Sequence, residues 1–350
     1  MLTKRIYIDP IHPEAERLIE GVKLLQAGEL VAFPTETVYG LGANALDASA
    51  CSKIFAAKGR PQDNPLIVHV CNRAMADMLV KSWTPEAELC VQHFWPGPLT
   101  LVLPKMANVS DVVTGGLANV AIRMPSHPVA LRLIEETGLP IAAPSANLSG
   151  KPSPTKGSHV WRDMNGKIPL ILDGGACPVG VESTVLDVSG GVPTILRSGG
   201  ISKEQLEAVL GEVRMDNPSK DQNQAPKAPG MKYRHYAPRG EMILMIGLRE
   251  RVVQRMVDEI QRGHSRLKKV GILCTLESAP FLHTRLPDLL FVLGSKDRPE
   301  EVASNLFDGL RLCDERGIDL ILAEGVEESG LGTAIMNRLQ NAAGQRIQYV

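Results

Sequence analysis

From Asp216 to Pro229 the chain carries Asn, Pro, Ser, Lys, Asp, Gln and Ala, with no aliphatic residue larger than alanine. Such a stretch buries too little apolar surface to offset the entropy lost on ordering it. It divides the 350 residues into two parts that must each build a core, and a chain this long already favours two domains over one. The reading places a first domain at 1–211, a linker at 212–238 and a second domain at 239–350.

Short apolar runs alternate with stretches of helical spacing on both sides of this break. Residues 14–25 put Ala15, Leu18, Ile19, Val22 and Leu25 on one face, as a helix requires. Leu30–Pro34 is a brief apolar run that predicts a buried strand ending in the polar residues Thr35, Glu36 and Thr37. Continued as a strand, that run puts Thr35 and Thr37 on one face and Glu36 on the other. Further strands are expected at 66–70, 99–103, 120–124, 141–144, 170–172, 183–188 and 194–196. Past the break, strands at 242–246, 270–274, 289–293 and 318–323 alternate with helices at 249–262, 300–315 and 331–343. The pattern predicts an α/β protein whose second part is a small parallel sheet flanked by helices.

Lys and Arg total 38 against 39 Asp and Glu, a formal charge of −1. That balance disfavours a surface built to wrap a polyanion. Aromatic residues make up 4% of the chain, too few for a single-strand stacking platform. An RNA-binding module is therefore the weaker alternative, although a local basic pocket or weak RNA contact stays compatible with this charge. No apolar run reaches the roughly 20 residues that span a bilayer, and the N-terminus does not read as a signal peptide. Cys51, Cys71, Cys90, Cys177, Cys274 and Cys313 are scattered without a C-x-x-C pair. They read as reduced thiols of a cytoplasmic protein.

Polar clusters sit at strand ends in the first part, which is where chemistry is expected. Lys58-Gly59-Arg60-Pro61 continues to Asn64-Pro65, two cations in a loop stiffened by prolines, suited to a polyphosphate or to solvent. Arg123 lies in the apolar run Ala121-Ile122-Arg123-Met124, where a guanidinium needs a carboxylate or phosphate, from a ligand or from an ion pair. His69, in Leu66–Val70, reads equally as a core histidine. Ser145-Ala146-Asn147, Glu182-Ser183-Thr184 and Arg197-Ser198-Gly199 end further strands with small polar groups. No G-x-x-x-x-G-K-[ST] loop, G-x-S-x-G elbow or H-E-x-x-H run occurs.

Taken together, the runs Pro34-Thr35-Glu36-Thr37-Val38-Tyr39-Gly40-Leu41, Lys58-Gly59-Arg60-Pro61 and Ser145-Ala146-Asn147 resemble the YrdC/Sua5 family. Pro229-Gly230-Met231-Lys232-Tyr233-Arg234-His235-Tyr236-Ala237-Pro238 resembles the linker of its longer, two-domain form. The resemblance implies a twisted mixed sheet with flanking helices followed by a Rossmann-like domain. It also implies ATP-dependent synthesis of threonylcarbamoyladenylate from L-threonine and bicarbonate or CO2, with pyrophosphate released and Mg2+ carried by ATP rather than by side chains. Carried over by position, Thr37, His69, Arg123, Ala143 (through its backbone) and Ser183 resemble the threonine site. Arg60, Asn64, Asn119, Ser145, Asn147, Ser153 and Arg197 resemble the ATP site, with Lys58 and Arg60 as the catalytic cations. Tyr233, His235 and Tyr236 are candidates to cover ATP as a lid. The expected downstream partner is a tRNA-modifying threonylcarbamoyl transferase, and no membrane partner is expected.

Overall fold

The computed structural model describes residues 1–216, 236–344 and 346–350. They fall into two compact units. The first takes Met1–Ser149, Ser153–Pro178 and residues 182–216; the second takes Gly150–Pro152, Val179–Val181 and the residues from 236 onward. Most of the linker, including Tyr233 and His235, lies outside the described residues.

Eleven strands form the sheet of the first unit. They are β1 (Lys4–Tyr7), β2 (Val31–Phe33), β3 (Gly40–Asn44), β4 (Ile67–His69), β5 (Leu99–Pro104), β6 (Asn119–Arg123), β7 (Ile141–Ala142), β8 (Leu170–Asp173), β9 (Thr184–Asp187), β10 (Thr194–Arg197) and β11 (Arg214–Met215). Their order is β1-β8-β2-β3-β7-β4-β6-β5-β9-β10-β11. Pairing is mixed, with β4 parallel to β6 and β5 parallel to β9, while β5 and β6 run antiparallel.

Period-two alternation separates the two faces of the strands around β6. Val68, Leu101, Leu103, Val120, Ile122, Leu186 and Ile195 enter the main core. Ile67, Val102, Ala121, Val185 and Leu196 form a separate small cluster on the opposite face. In register, Ile67 pairs with Ala121 and His69 with Arg123, so His69, Ala121, Arg123 and Asn119 share that second face. These candidate residues are therefore gathered on one face by pairing alone.

One expectation is corrected. The polar run after β2 is a turn, not a strand continuation: β2 stops at Phe33 and the chain reverses into the antiparallel β3. Thr35 and Glu36 are thus not sorted to opposite faces. Gly40 and Gly42, in turn, lie within a strand. A Cβ on Gly42 would come within 2.7 Å of Phe33 Cε1 and 2.8 Å of Ile141 Cγ2, so the glycine serves close packing.

The second unit holds β12 (Glu241–Ile246), β13 (Val270–Thr275), β14 (Leu289–Gly294), β15 (Leu320–Glu324) and β16 (Ile347–Tyr349). All pair in parallel, in the order β14-β13-β15-β12-β16. The helix Arg249–Ser265 buries Val252, Met256, Val257, Ile260 and Gly263 along one stripe. Val252, Met256, Val257 and Ile260 meet Ile272, Cys274 and Leu322 in one core. At the carboxyl ends of the strands, the buried Glu324 accepts from Thr275 N (2.8 Å), Thr275 Oγ1 (2.9 Å) and Ser278 Oγ (2.8 Å). β16, absent from the strands expected, is a short edge strand of only three residues.

Candidate active site

The helix Ala48–Lys58 presents the first cation. Asp47 caps it by accepting from Ser49 N (2.8 Å) and Ala50 N (3.1 Å), and Gly59, at φ 61°, ends it in the left-handed conformation. Lys58, in the last turn, is 3% exposed. Its ammonium donates to the carbonyls of Ser145 and Asn147, the latter at 2.6 Å. Ser145 Oγ lies 2.5 Å from Asn147 Oδ1. Lys58 therefore draws the Ser145–Asn147 turn onto the helix end. Beyond Gly59, Arg60 donates to the carbonyls of Asn64 (3.3 Å) and Pro65 (2.9 Å), which folds the proline-stiffened loop around the guanidinium. Asn64 is buried, and its Oδ1 has no hydrogen-bond partner among the described residues.

Arg123 closes β6 and is 3% exposed. Its Nε donates to Gly97 O (3.2 Å) and its Nη1 to Thr37 Oγ1 (2.9 Å). Nη2 approaches Glu36 Oε1 at 2.6 Å. That ion pair is close but misaligned as a hydrogen bond, since Nη2 and both Glu36 oxygens lack a partner of proper geometry. The carboxylate expected beside Arg123 is thus present in the protein itself. Burial, the largest influence, raises the pKa of Glu36, but the Arg123 charge together with misaligned hydrogen bonding from Arg123 and the backbone holds the carboxyl below its ordinary range. His69, beside Arg123 in the register, is pushed down to about 3 by burial and then by the Arg123 charge. Its ring is neutral at physiological pH, and Nδ1 has no hydrogen-bond partner among the described residues.

Ser183 immediately precedes β9 and is 1% exposed. Its Oγ lies 2.8 Å from Thr100 Oγ1, and Arg197 donates to its carbonyl (2.8 Å) and its Oγ (3.2 Å). Gly199 permits this. A Cβ there would lie 2.3 Å from Glu182 O, Ser183 C and Thr184 N. Ser153 Oγ donates to Glu182 Oε1 at 2.5 Å. Ala143 spends its N–H on the Ile67 carbonyl (2.9 Å), so its own carbonyl is the backbone group left for a ligand.

Beside the small apolar cluster lies a cavity of about 210 Å3, lined by Pro65, Leu66, Val102, Asn119, Asp187 and Leu196 among others. It places Asn119 next to the Arg60–Pro65 loop in one concavity. Tyr236 is placed differently. It is 5% exposed inside the second unit, with its ring 5.2 Å from that of Phe307 and the Arg338 guanidinium 5.4 Å away. Its φ of 64° is unusual for a residue with a side chain.

The threonine candidates Thr37, His69 and Arg123 thus meet directly, and Ser183 joins Arg197. Lys58, Ser145 and Asn147 form a third group, and Arg60 with Asn64 a fourth. Glu36, Thr35, Thr100 and Glu182 belong to the same networks; sequence reasoning gave the first two and Glu182 no role within their polar runs and missed Thr100. Strand alternation had sent Glu36 away from Thr37, and its one signal was the need of Arg123 for a carboxylate.

A family profile described as "Telomere recombination" matches residues 23–199, and one described as "Threonylcarbamoyl-AMP synthase, C-terminal domain" matches residues 201–344. The threonylcarbamoyl-AMP synthase of Pyrococcus abyssi is 52% identical over 92% of this chain and 93% of its own. That of Bacillus subtilis is 49% identical over 99% of both. Among solved structures, the crystal structure of P. abyssi Sua5 complexed with L-threonine aligns with a TM-score of 0.94 at 49% identity, covering 99% of this chain and 100% of that one.

Proposed function

From the premise that this chain belongs to the two-domain Sua5 branch of the YrdC/Sua5 family, we propose a division of labour among its residues in making threonylcarbamoyl-AMP. The enzyme is a threonylcarbamoyl-AMP synthase, and the reaction is the first step of threonylcarbamoyladenosine formation in tRNA. The threonine amine forms a bond to the carbon of CO2 and loses a proton, giving a carbamate; from bicarbonate the same bond forms as a C–O bond breaks and water leaves. A carbamate oxygen then bonds to the α-phosphorus of ATP as the bond to pyrophosphate breaks.

The observation that carries the assignment is the set of buried atoms without a well-aligned hydrogen bond among the described residues: Asn64 Oδ1, His69 Nδ1 and Thr155 Oγ1, with Glu36 Oε1, Oε2 and Arg123 Nη2 held only by their own ion pair. Buried polar groups are rarely left unpaired, and a ligand that completes them explains the pattern. We assign Thr37, His69, Arg123, Ser183 and the Ala143 carbonyl to the amino acid. Arg60, Asn64, Asn119, Ser145, Asn147, Ser153 and Arg197 go to the nucleotide, with the base in the cavity beside Asn119. Lys58 and Arg60 stabilise charge on the transferring phosphate. The protein supplies orientation and electrostatics, and the bound amine is the nucleophile.

No group of three His, Cys, Asp or Glu side chains able to hold a metal occurs among the described residues. Magnesium would arrive on the triphosphate, where it would neutralise charge on the phosphates beside Lys58 and Arg60. No helix of the described residues is long and apolar enough to cross a membrane. The product, a mixed anhydride, would pass to a transferase acting on tRNA in the cytoplasm, and a net charge of −1 gives RNA little hold on this chain. The test is pyrophosphate release by the purified full chain with ATP and Mg2+, with and without L-threonine and bicarbonate, and with L-serine for comparison. Release that needs both threonine and bicarbonate supports the assignment; release indifferent to threonine refutes it.

A further inference from the structure

The turn after β2 orders its protons. Thr35 Oγ1 lies 2.7 Å from the carbonyl oxygen of Val38, which can only accept, so the single hydroxyl proton of Thr35 goes there. The same oxygen lies 2.8 Å from Thr37 Oγ1 and receives the N–H groups of Thr37 (3.2 Å) and Val38 (3.3 Å). With its proton committed, Thr35 can meet the Thr37 hydroxyl only as an acceptor, its two lone pairs shared between that short contact and the two longer N–H contacts. Thr37 therefore donates to Thr35 and already accepts from Arg123 Nη1 at 2.9 Å. A hydroxyl has one proton and two lone pairs. Thr37 keeps one lone pair and no proton for any further contact, whereas the neighbouring guanidinium offers only donors.

We propose that Thr35 is a positioning residue that makes Thr37 an acceptor-only contact for the amino-acid substrate. A donor of that substrate, its ammonium or its side-chain hydroxyl, then faces Thr37, and its carboxylate does not. The inference rests on the reading of Thr37 and Arg123 as part of the threonine site. Both threonines are nearly solvent-free, at 2% and 1% exposure, so water does not scramble this polarity. A carboxylate placed on Thr37 would meet lone pairs; on Arg123 it meets N–H groups.

Thr35→Val and Thr35→Ala remove the acceptor, while Thr35→Ser keeps it. With intact folding checked by circular dichroism and tryptophan fluorescence, the Val and Ala variants should raise KM for L-threonine about tenfold, the value of one ordinary hydrogen bond. KM for ATP should stay within about twofold, and Thr35→Ser should restore the threonine KM. Two competitive inhibitors locate the donor. L-2-aminobutyrate keeps the ammonium and lacks the hydroxyl; 3-hydroxybutyrate keeps the hydroxyl and lacks the amine. The Val penalty vanishes for aminobutyrate if the hydroxyl faces Thr37, and for hydroxybutyrate if the ammonium does. A penalty that persists with both inhibitors, an unchanged threonine KM, or equal losses for ATP and threonine overturns the proposal. Should either apolar variant fail to fold, the other carries the comparison, and failure of Thr35→Ser to preserve the wild-type KM overturns it independently. Wild-type protein that releases pyrophosphate without threonine would instead refute the site reading beneath it.

Discussion

Replacing Glu36 by glutamine removes the counter-charge from Arg123 without changing shape. The two side chains are 7% and 4% exposed, and the closest approach is 2.6 Å. Charges about 4 Å apart at an effective dielectric near 20 attract by about 4 kcal/mol. Desolvation of the pair offsets much of that gain, but removing one partner leaves a buried guanidinium uncompensated and costs about 3–5 kcal/mol. That is a large part of an ordinary domain's total stability. The assay is selective, because Trp83, Trp95 and Trp161 are the only tryptophans and all lie in the first unit. With a urea dependence of about 2–3 kcal/mol per M, the fluorescence midpoint of Glu36→Gln should fall by roughly 1–2 M. The double variant Glu36→Leu with Arg123→Met removes both charges and should recover most of the loss. A single-variant shift below about 0.3 M, or a double variant as unstable as the single, would show the pair to be energetically idle and refute the reasoning.

Three further outcomes are expected. Lys58→Ala should lower the rate of pyrophosphate release about 100-fold or more, as loss of a preorganised donor does, and a rate within a few-fold of wild type rules out its assigned role. His69 and His127 both have pKa values lowered, chiefly by burial, so the unfolded chain binds more protons below pH 6.5. Stability is then complete above that pH and declines towards acid, each histidine adding up to about 1.4 kcal/mol per pH unit. His69→Gln should remove one such share between pH 6 and 4.5, above the range where Glu36 titrates, and an unaltered slope in tryptophan-monitored urea titrations refutes it. Gly199→Ala drives a methyl into backbone atoms 2.3 Å away that cannot yield as a flexible side chain would. It should cost about 1–3 kcal/mol and, by displacing Ser183 from Arg197, raise KM for both substrates, whereas wild-type kinetics would show that the strand junction tolerates the shift.

Much of the fold could be read from periodicity because its elements are locally consistent. Pro128–Thr137 starts on a proline, ends at Gly138 and buries Val129, Ala130, Leu133 and Ile134, and every one of those signals lies in the sequence. β3 could not be read in this way. Its Gly-Leu-Gly run suits a turn by propensity, and only the approach of Phe33 and Ile141 makes glycine a strand residue there. The polar run after β2 failed for a related reason. Period-two alternation holds only while pairing continues, and the hydroxyl of Thr35 bonds its own turn instead, as short polar side chains do.

The candidate site follows the same logic with the sign reversed. His69 and Arg123 were noticeable because each places a polar head in an apolar run, and Lys58 because it stands beside a proline-stiffened basic loop; the structure buries all three. What the sequence could not carry is how each head is occupied. Lys58 is held by two carbonyls, Arg123 by Glu36, Thr37 and Gly97, and Arg197 by Ser183, contacts that span up to 89 positions along the chain. Occupation of this kind leaves the cations rigid before any substrate enters, which removes the reorganisation that water would otherwise demand. The atoms that remain unpaired then carry the information. Beyond the Glu36–Arg123 ion pair these are, among the described residues, Asn64 Oδ1, an acceptor, Thr155 Oγ1, which can donate or accept, and His69 Nδ1, whose role its tautomer sets. At the Arg123 end, a ligand that meets the guanidinium donors, the remaining lone pair of Thr37 and the Glu36 carboxylate must offer both polarities within a short span. An amino acid, with a carboxylate at one end and N–H or O–H donors at the other, meets that requirement, and a simple anion does not.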